Sequence, residues 1–161
     1  MVRHATREDL PRIYEIYENA RAYMKRTGNP TQWGDTEPPI AWLDVDIERK
    51  ELYVCCDGDD VYGVFMFMMR DEPFYHHPIE GEWLNDEPYA AVHRVASRGE
   101  VKGLTLQILN WALEQHPNIR IDTHDDNIPM QRALASAGFT PCGRIWVEDG
   151  TPRIAYHKIR H

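Results

Sequence analysis

Leu10, Ile13, Tyr14, Tyr17, Arg21 and Met24 fall at helical spacing behind Thr6, and Asp9 completes a capping box with that threonine. The pattern predicts a helix that stops at Gly28, with Pro30 beyond it. Met1 to Ala5 fits a short strand ahead of it. Asn29 to Gly34 reads as a turn-rich linker, and Pro38 and Pro39 precede a shorter helix over about Ile40 to Arg49. Leu52 to Cys56 and Val61 to Met69 read as strands joined by Asp57-Gly58-Asp59-Asp60, a hairpin turn. The second strand is apolar at nearly every position, which predicts a central place with both faces covered. Asp71 to Glu87 shows no period and holds Pro73, Pro78, His76, His77 and Trp83. Long irregular stretches of this kind are often functional.

Tyr89 to Ala96 predicts another strand, followed by a glycine-bearing turn, Ser97 to Thr105, and a helix from Leu104 to about Gln115. Leu104, Ile108, Trp111 and Ala112 share one face of that helix. Ile119 to Thr123 alternates as a strand, Ile119/Ile121/Thr123 against Arg120/Asp122/His124. Asp126 or Asn127 caps a further helix with Pro129 in its first turn, and Gly138 ends it. Phe139 to Val147 and Arg153 to Ile159 form a last hairpin. The order is a strand, two helices, two or three strands, a helix, a strand, a helix and two strands. It predicts a mixed α/β sheet with helices packed on its faces. The strands flanking the glycine-loop helix should run parallel, joined by a right-handed crossover. No repeat or linker divides the chain, so residues 1–161 read as a single domain.

Charge narrows the partners. The 161 residues carry a formal net charge of −8 and no basic run, which excludes a nucleic-acid surface and suits a cationic small molecule or a lysine-bearing peptide. Met1 to Ala5 lacks the apolar core of a signal peptide, and Val61 to Met69 is too short to span a bilayer, so no membrane role is expected. Three cysteines, Cys55, Cys56 and Cys142, fit reduced thiols in a cytoplasm. Neither His-Glu-x-x-His nor Cys-x-x-Cys occurs, so no metal is expected and a metal-dependent hydrolase is the less favoured reading.

The glycine turn carries the strongest chemical signal. Backbone N–H groups at a helix N-terminus favour an anion, and Gly99 and Gly103 let the chain approach a bulky phosphate. Arg98 and Lys102 add positive charge there. A plain strand-to-helix connection accounts for two glycines equally well.

Together with the helix, strand and helix on its C-terminal side, the loop is similar to that of the GNAT superfamily of acyl-CoA-dependent N-acetyltransferases, and the resemblance runs over essentially the whole chain. The family pattern Gln/Arg-x-x-Gly-x-Gly/Ala, which binds the CoA pyrophosphate, falls on Glu100-Val101-Lys102-Gly103-Leu104-Thr105. The later asparagine that opens a helix ending in Gly-Phe falls on Asn127 and Gly138-Phe139. The resemblance implies an α/β (α+β) fold with a mixed, mostly antiparallel sheet, a central parallel strand pair, and helices on both faces. It implies acetyl-CoA as co-substrate and transfer of its acetyl group to a primary amine of a small molecule or peptide, in a monomer or homodimer. The cofactor contacts carried over are His93, Val95, Ala96, Arg98, Val101, Lys102, Gly103, Leu104, Thr105, Asn127 and Met130. Three positions depart from the family. Glu100 replaces Gln or Arg, Thr105 replaces Gly or Ala, and Leu134 stands where many members carry the tyrosine that protonates the departing thiolate.

Acetyl transfer needs a neutral amine, so a base or a water chain must take its proton. His93 is the first candidate: its strand face is that of Ala91 and Val95, and histidine titrates near neutral pH. A half-buried sheet histidine that only packs is the competing account. Asp122, near the end of the next strand, is the second candidate; a solvated or paired strand carboxylate is its alternative. His124 is the third, with closure of the loop before Asn127 as its other role. Tyr75 and Cys142 are the two groups able to replace the missing acid, and Cys142 suits a core position. Met24, Gln32 and Trp33, with Tyr75, His76, His77 and Trp83, are the candidate walls of the acceptor pocket. No cysteine lies on the glycine-loop strand, which favours direct attack over an acyl-cysteine. A GNAT-like module that binds acyl-CoA without turnover is the alternative function, supported by Leu134.

Overall fold

The computed structural model describes residues 1–76, 79–99 and 101–160. His77 and Glu100, both singled out above, lie outside the described residues. Among the described residues there are eight strands and four α-helices, in the predicted order except for one added strand, β4: β1 Val2–His4, α1 Leu10–Arg26, α2 Ile40–Glu48, β2 Leu52–Asp57, β3 Asp60–Met68, β4 Glu80–Gly81, β5 Ala90–Ser97, α3 Leu104–Gln115, β6 Asn118–Thr123, α4 Ile128–Ser136, β7 Thr140–Trp146 and β8 Pro152–Ile159. The fold is mixed α/β, with mostly antiparallel strands and, among the described residues, one parallel pair, β5 and β6. The chain forms two compact units, Met1–Phe67 with Arg94–Leu104, and Met68–His93 with Thr105–His161. β5 belongs to both, changing unit between His93 and Arg94.

In the first unit β1, β2 and β3 pair antiparallel. The Asp9 carboxylate accepts from the Thr6 N–H at 2.8 Å, as the capping box predicts, and a 3-10 turn over Arg7–Asp9 leads into α1. Ile13, Ile16 and Tyr17 of α1 and Leu43 of α2 join Leu52, Val54, Cys56 and Val64 in one buried cluster. Leu52, Val54 and Cys56 are alternate residues of β2 and so point to one face. At Gly63, an added Cβ would meet the Leu104 side chain at 2.6 Å, so glycine there admits the first residue of α3.

In the second unit β6, β8, β7 and β4 pair antiparallel in that order. β4 and a 3-10 turn at Pro73–His76 lie in the stretch that the sequence left irregular. β4 has no periodicity to show because it is only two residues long. It exists because Gly81 and Gly143, at φ +132° and +135°, let two backbones cross closely. On α3, Ile108, Leu109, Ala112 and Leu113 are buried, and Trp111 is half-buried. The buried stripe is therefore wider than Leu104, Ile108, Trp111 and Ala112 predict.

Candidate active site

β5 pairs with β6 through Ala90 to Ile119 and Ala91 to Arg120, and among the described residues the ladder goes no further. Three residues on, Arg94 takes φ +56°, a conformation that non-glycine residues rarely adopt. The first unit holds it there. The Tyr17 hydroxyl donates to the Arg94 carbonyl at 2.8 Å, and the Arg94 guanidinium pairs with Asp46 and lies 5.0 Å over the Trp42 ring. This interruption breaks the two-residue alternation. The face shared by Ala91 and His93 therefore does not extend by simple counting to Val95.

Beyond β5, in the same unit, the Arg98 N–H donates to the Tyr62 carbonyl at 3.2 Å. Its guanidinium meets both Asp60 carboxylate oxygens at 2.9 and 3.0 Å and lies 5.9 Å from the Tyr62 ring centre. Much of the Arg98 charge is thereby balanced within the protein. Gly99 and Gly103 have φ +88° and +74°, and an added Cβ at either would meet nothing within 4 Å. Conformation, not crowding, calls for glycine at both. Gly99, Lys102 and Gly103 are exposed, Val101 and Thr105 are half-buried, and α3 begins at Leu104. The opening N–H groups of a helix have no partner inside it. Open glycines, an exposed lysine and a helix start together suit a phosphate group.

A second cluster forms within the second unit. His93 Nε2 is 2.7 Å from Glu72 Oε2, and His93 Nδ1 is 4.0 Å from Asp122 Oδ2. The Tyr75 hydroxyl donates to that same Asp122 oxygen at 2.7 Å. The Glu72 N–H donates to the Tyr89 hydroxyl at 2.8 Å, which ties the loop to the start of β5. Burial works to raise the Glu72 carboxyl, but the hydrogen bond and charge of His93 outweigh it and hold Glu72 below the usual carboxylate range. Burial, reinforced by the Asp122 charge, pushes the Tyr75 phenol well above its ordinary value. Tyr75 also packs on Trp83 and His93, with ring centres 5.0 and 6.0 Å away. The histidine thus sits between two carboxylates, an arrangement that suits a group gaining and losing a proton.

Residues 1–140 match the family described as the acetyltransferase (GNAT) domain. The chain belongs to the GNAT acetyltransferase family. A GNAT-family acetyltransferase from Streptococcus agalactiae is 29% identical over 100% of this chain and 95% of that one, with a TM-score of 0.89. A putative acetyltransferase from Staphylococcus aureus is 25% identical over 99% and 98%, with a TM-score of 0.73. A putative acetyltransferase from Salmonella typhimurium, solved with its cofactor acetyl-CoA, shares the fold at 17% identity over 100% and 94%, with a TM-score of 0.64. No curated protein matches the chain.

The other candidate residues of this GNAT domain take definite places. His124 Nδ1 accepts from the Asp126 N–H at 3.0 Å, and Asn127 Oδ1 accepts from the Met130 N–H at 3.1 Å, so both shape the entry to α4. Of the acceptor-wall candidates, Tyr75 and Trp83 lie in the second unit. Met24, Gln32 and Trp33 lie in the first, where the Gln32 side-chain carbonyl accepts from Asn29 and Trp33 meets Tyr17 edge-on at 5.5 Å. Leu134 is fully buried. Burial pushes up the thiols of Cys142 and of Cys55, the latter to about 11, so neither favours the thiolate a nucleophile needs. Among the described residues, no group of three or more His, Cys, Asp or Glu side chains is arranged to hold a metal ion. Among them, too, no helix is long and apolar enough to cross a membrane. Glu72 escaped the sequence reading. It lies in an aperiodic stretch 21 residues before His93, and no local pattern announces a partner at that separation.

Proposed function

We propose that this GNAT-family chain transfers the acetyl group of acetyl-CoA to a primary amine of a small molecule or peptide, by direct attack of the amine. The observation that carries the reading is His93 held between Glu72 and Asp122 on the strand that leads to the glycine loop. Acetyl-CoA, when bound, supplies an activated acyl group. The residues suited to hold it are Val95 and Ala96 through their backbone, and Val101, Lys102, Gly103, Leu104 and Thr105 around its phosphates.

An amine in water is mostly a cation, and the carboxylates of Glu72 and Asp122 favour its approach. The same charges make its proton harder to remove, so a base is required. His93 is that base in this reading. The ammonium nitrogen sheds two protons in becoming an amide: one goes to solvent, and the other, passed through His93, protonates the departing sulfur, so the balance needs no other donor. The raised thiols support direct attack over an acyl-cysteine.

The test is a panel of primary amines offered with acetyl-CoA, scored by release of free thiol. Thiol release with a subset of amines supports the reading. Leu134 favours a second reading, a domain that binds acyl-CoA without turnover; binding with no thiol release from any amine would establish that instead.

A further inference from the structure

We propose that Glu72 is a positioning residue that holds His93 as the Nε2–H tautomer, so that Nδ1 is the atom that takes the acceptor's proton. The inference rests on His93 being the base, as proposed above.

Glu72 Oε2 lies 2.7 Å from His93 Nε2, a hydrogen-bond distance, so one of the two atoms must carry a proton. The Glu72 carboxyl is held below its usual range and is ionised near neutral pH, leaving it an acceptor only. Nε2 is therefore the donor. A neutral imidazole has one N–H, so Nδ1 carries the lone pair. The opposite tautomer would set the Nε2 lone pair against a carboxylate oxygen. Nδ1 lies 4.0 Å from Asp122 Oδ2, so a proton gained there is stabilised by a second carboxylate. The hydrogen bond from Tyr75 steadies that oxygen.

Among the described residues, charged and titratable groups reach the ring or its partners from four segments of the second unit. Glu72 comes from the loop after β3, with Arg70 close enough to act on its charge. Tyr75 comes from the 3-10 turn, and Asp122 from β6. Tyr89 of the segment before β5 accepts from the Glu72 N–H. Coupling is reciprocal: a cationic His93 that favours ionised Glu72 is itself favoured by that charge. Glu72 thus selects the tautomer and also strengthens the base.

Histidine-selective nitrogen NMR on the protein without acetyl-CoA reads the tautomer directly. The expected spectrum above the His93 titration midpoint has Nε2 protonated and Nδ1 bare. In Glu72→Gln the amide either accepts from Nε2–H or, turned over, donates to a bare Nε2, so the tautomer is no longer enforced. The charge is gone, so the midpoint falls by about 1–2 pH units. The acidic limb of kcat/KM moves to lower pH by the same amount, and the KM for acetyl-CoA stays the same. In Glu72→Ala the tautomers mix and kcat falls about 10²-fold. An Nδ1–H tautomer in the unaltered protein, or an unchanged midpoint in Glu72→Gln, would overturn the assignment. If Glu72→Ala does not fold, the first two measurements still decide. The expected spectrum with no thiol release from any amine would sink the proposed function and leave the tautomer standing; thiol release with an Nδ1–H ring would do the reverse.

Discussion

Acid should destabilise this protein through His157, a residue outside the proposed chemistry. His157 on β8 is fully buried. Its Nδ1 accepts from the Leu84 N–H at 3.1 Å, and its Nε2 faces Asn118 Oδ1 at 2.5 Å, so the ring is neutral with its proton on Nε2. Burial, with the nearby Arg120 cation adding to it, lowers the histidine from 6.5 to about 4. A group whose folded value is depressed contributes stability above its unfolded value and loses it as pH falls. Here the unfolded chain takes up the proton first, between about pH 6.5 and about pH 4. Integrated from about pH 7.5 to about pH 5, the loss is about 2 kcal/mol. Urea unfolding followed by circular dichroism across that range measures it. His157→Phe supplies the reference, because the carboxylates titrate in both proteins. At neutral pH the variant should be less stable by about 2–4 kcal/mol, since the Leu84 N–H and the Asn118 carbonyl lose their partner. By about pH 5 that difference should shrink by about 2 kcal/mol. A difference that stays constant across the range would refute the reasoning.

Gly103→Glu should weaken acetyl-CoA binding at least about tenfold by calorimetry, since it sets a carboxylate in a loop suited to phosphate. Gly103→Ala should bear only the strain of φ +74°, about 1 kcal/mol of stability, with near-normal affinity; normal affinity in the glutamate variant would undo the assignment. His93→Phe should keep the fold and acetyl-CoA affinity while kcat/KM falls about 10²–10⁴-fold in the thiol-release assay. If both His93→Phe and Asp122→Asn keep near-full rate, positioning of the amine supplies most of the rate. Gly143→Ala should lower thermal stability by about 2–4 kcal/mol, because the added methyl overlaps the Glu80 carbonyl oxygen at φ +135°.

Local rules were enough to read most elements from the chain. The Thr6–Asp9 box, the Asn127 cap, Pro129 and the glycines at 28, 58 and 138 act on their immediate neighbours, so helix ends and hairpins were legible residue by residue. Apolar runs placed the strands, and the strand–glycine turn–helix order disclosed the loop suited to phosphate. His93, Asp122 and Tyr75 were legible as candidates by residue type and place on their elements. Their mutual distances were not, since Asp122 and Tyr75 are 47 residues apart in the chain. Tertiary structure alone decided that Glu72 is the partner of His93, that Arg98 spends its charge on Asp60, and that Arg94 breaks the alternation of β5. It also decided the pairing of β4, where two glycines on distant segments cross. The physical reason is common to all four. A turn or a cap is an energy minimum of a few consecutive residues. The partner of a charge, and the strain a residue can bear, depend on atoms that only the folded chain brings near.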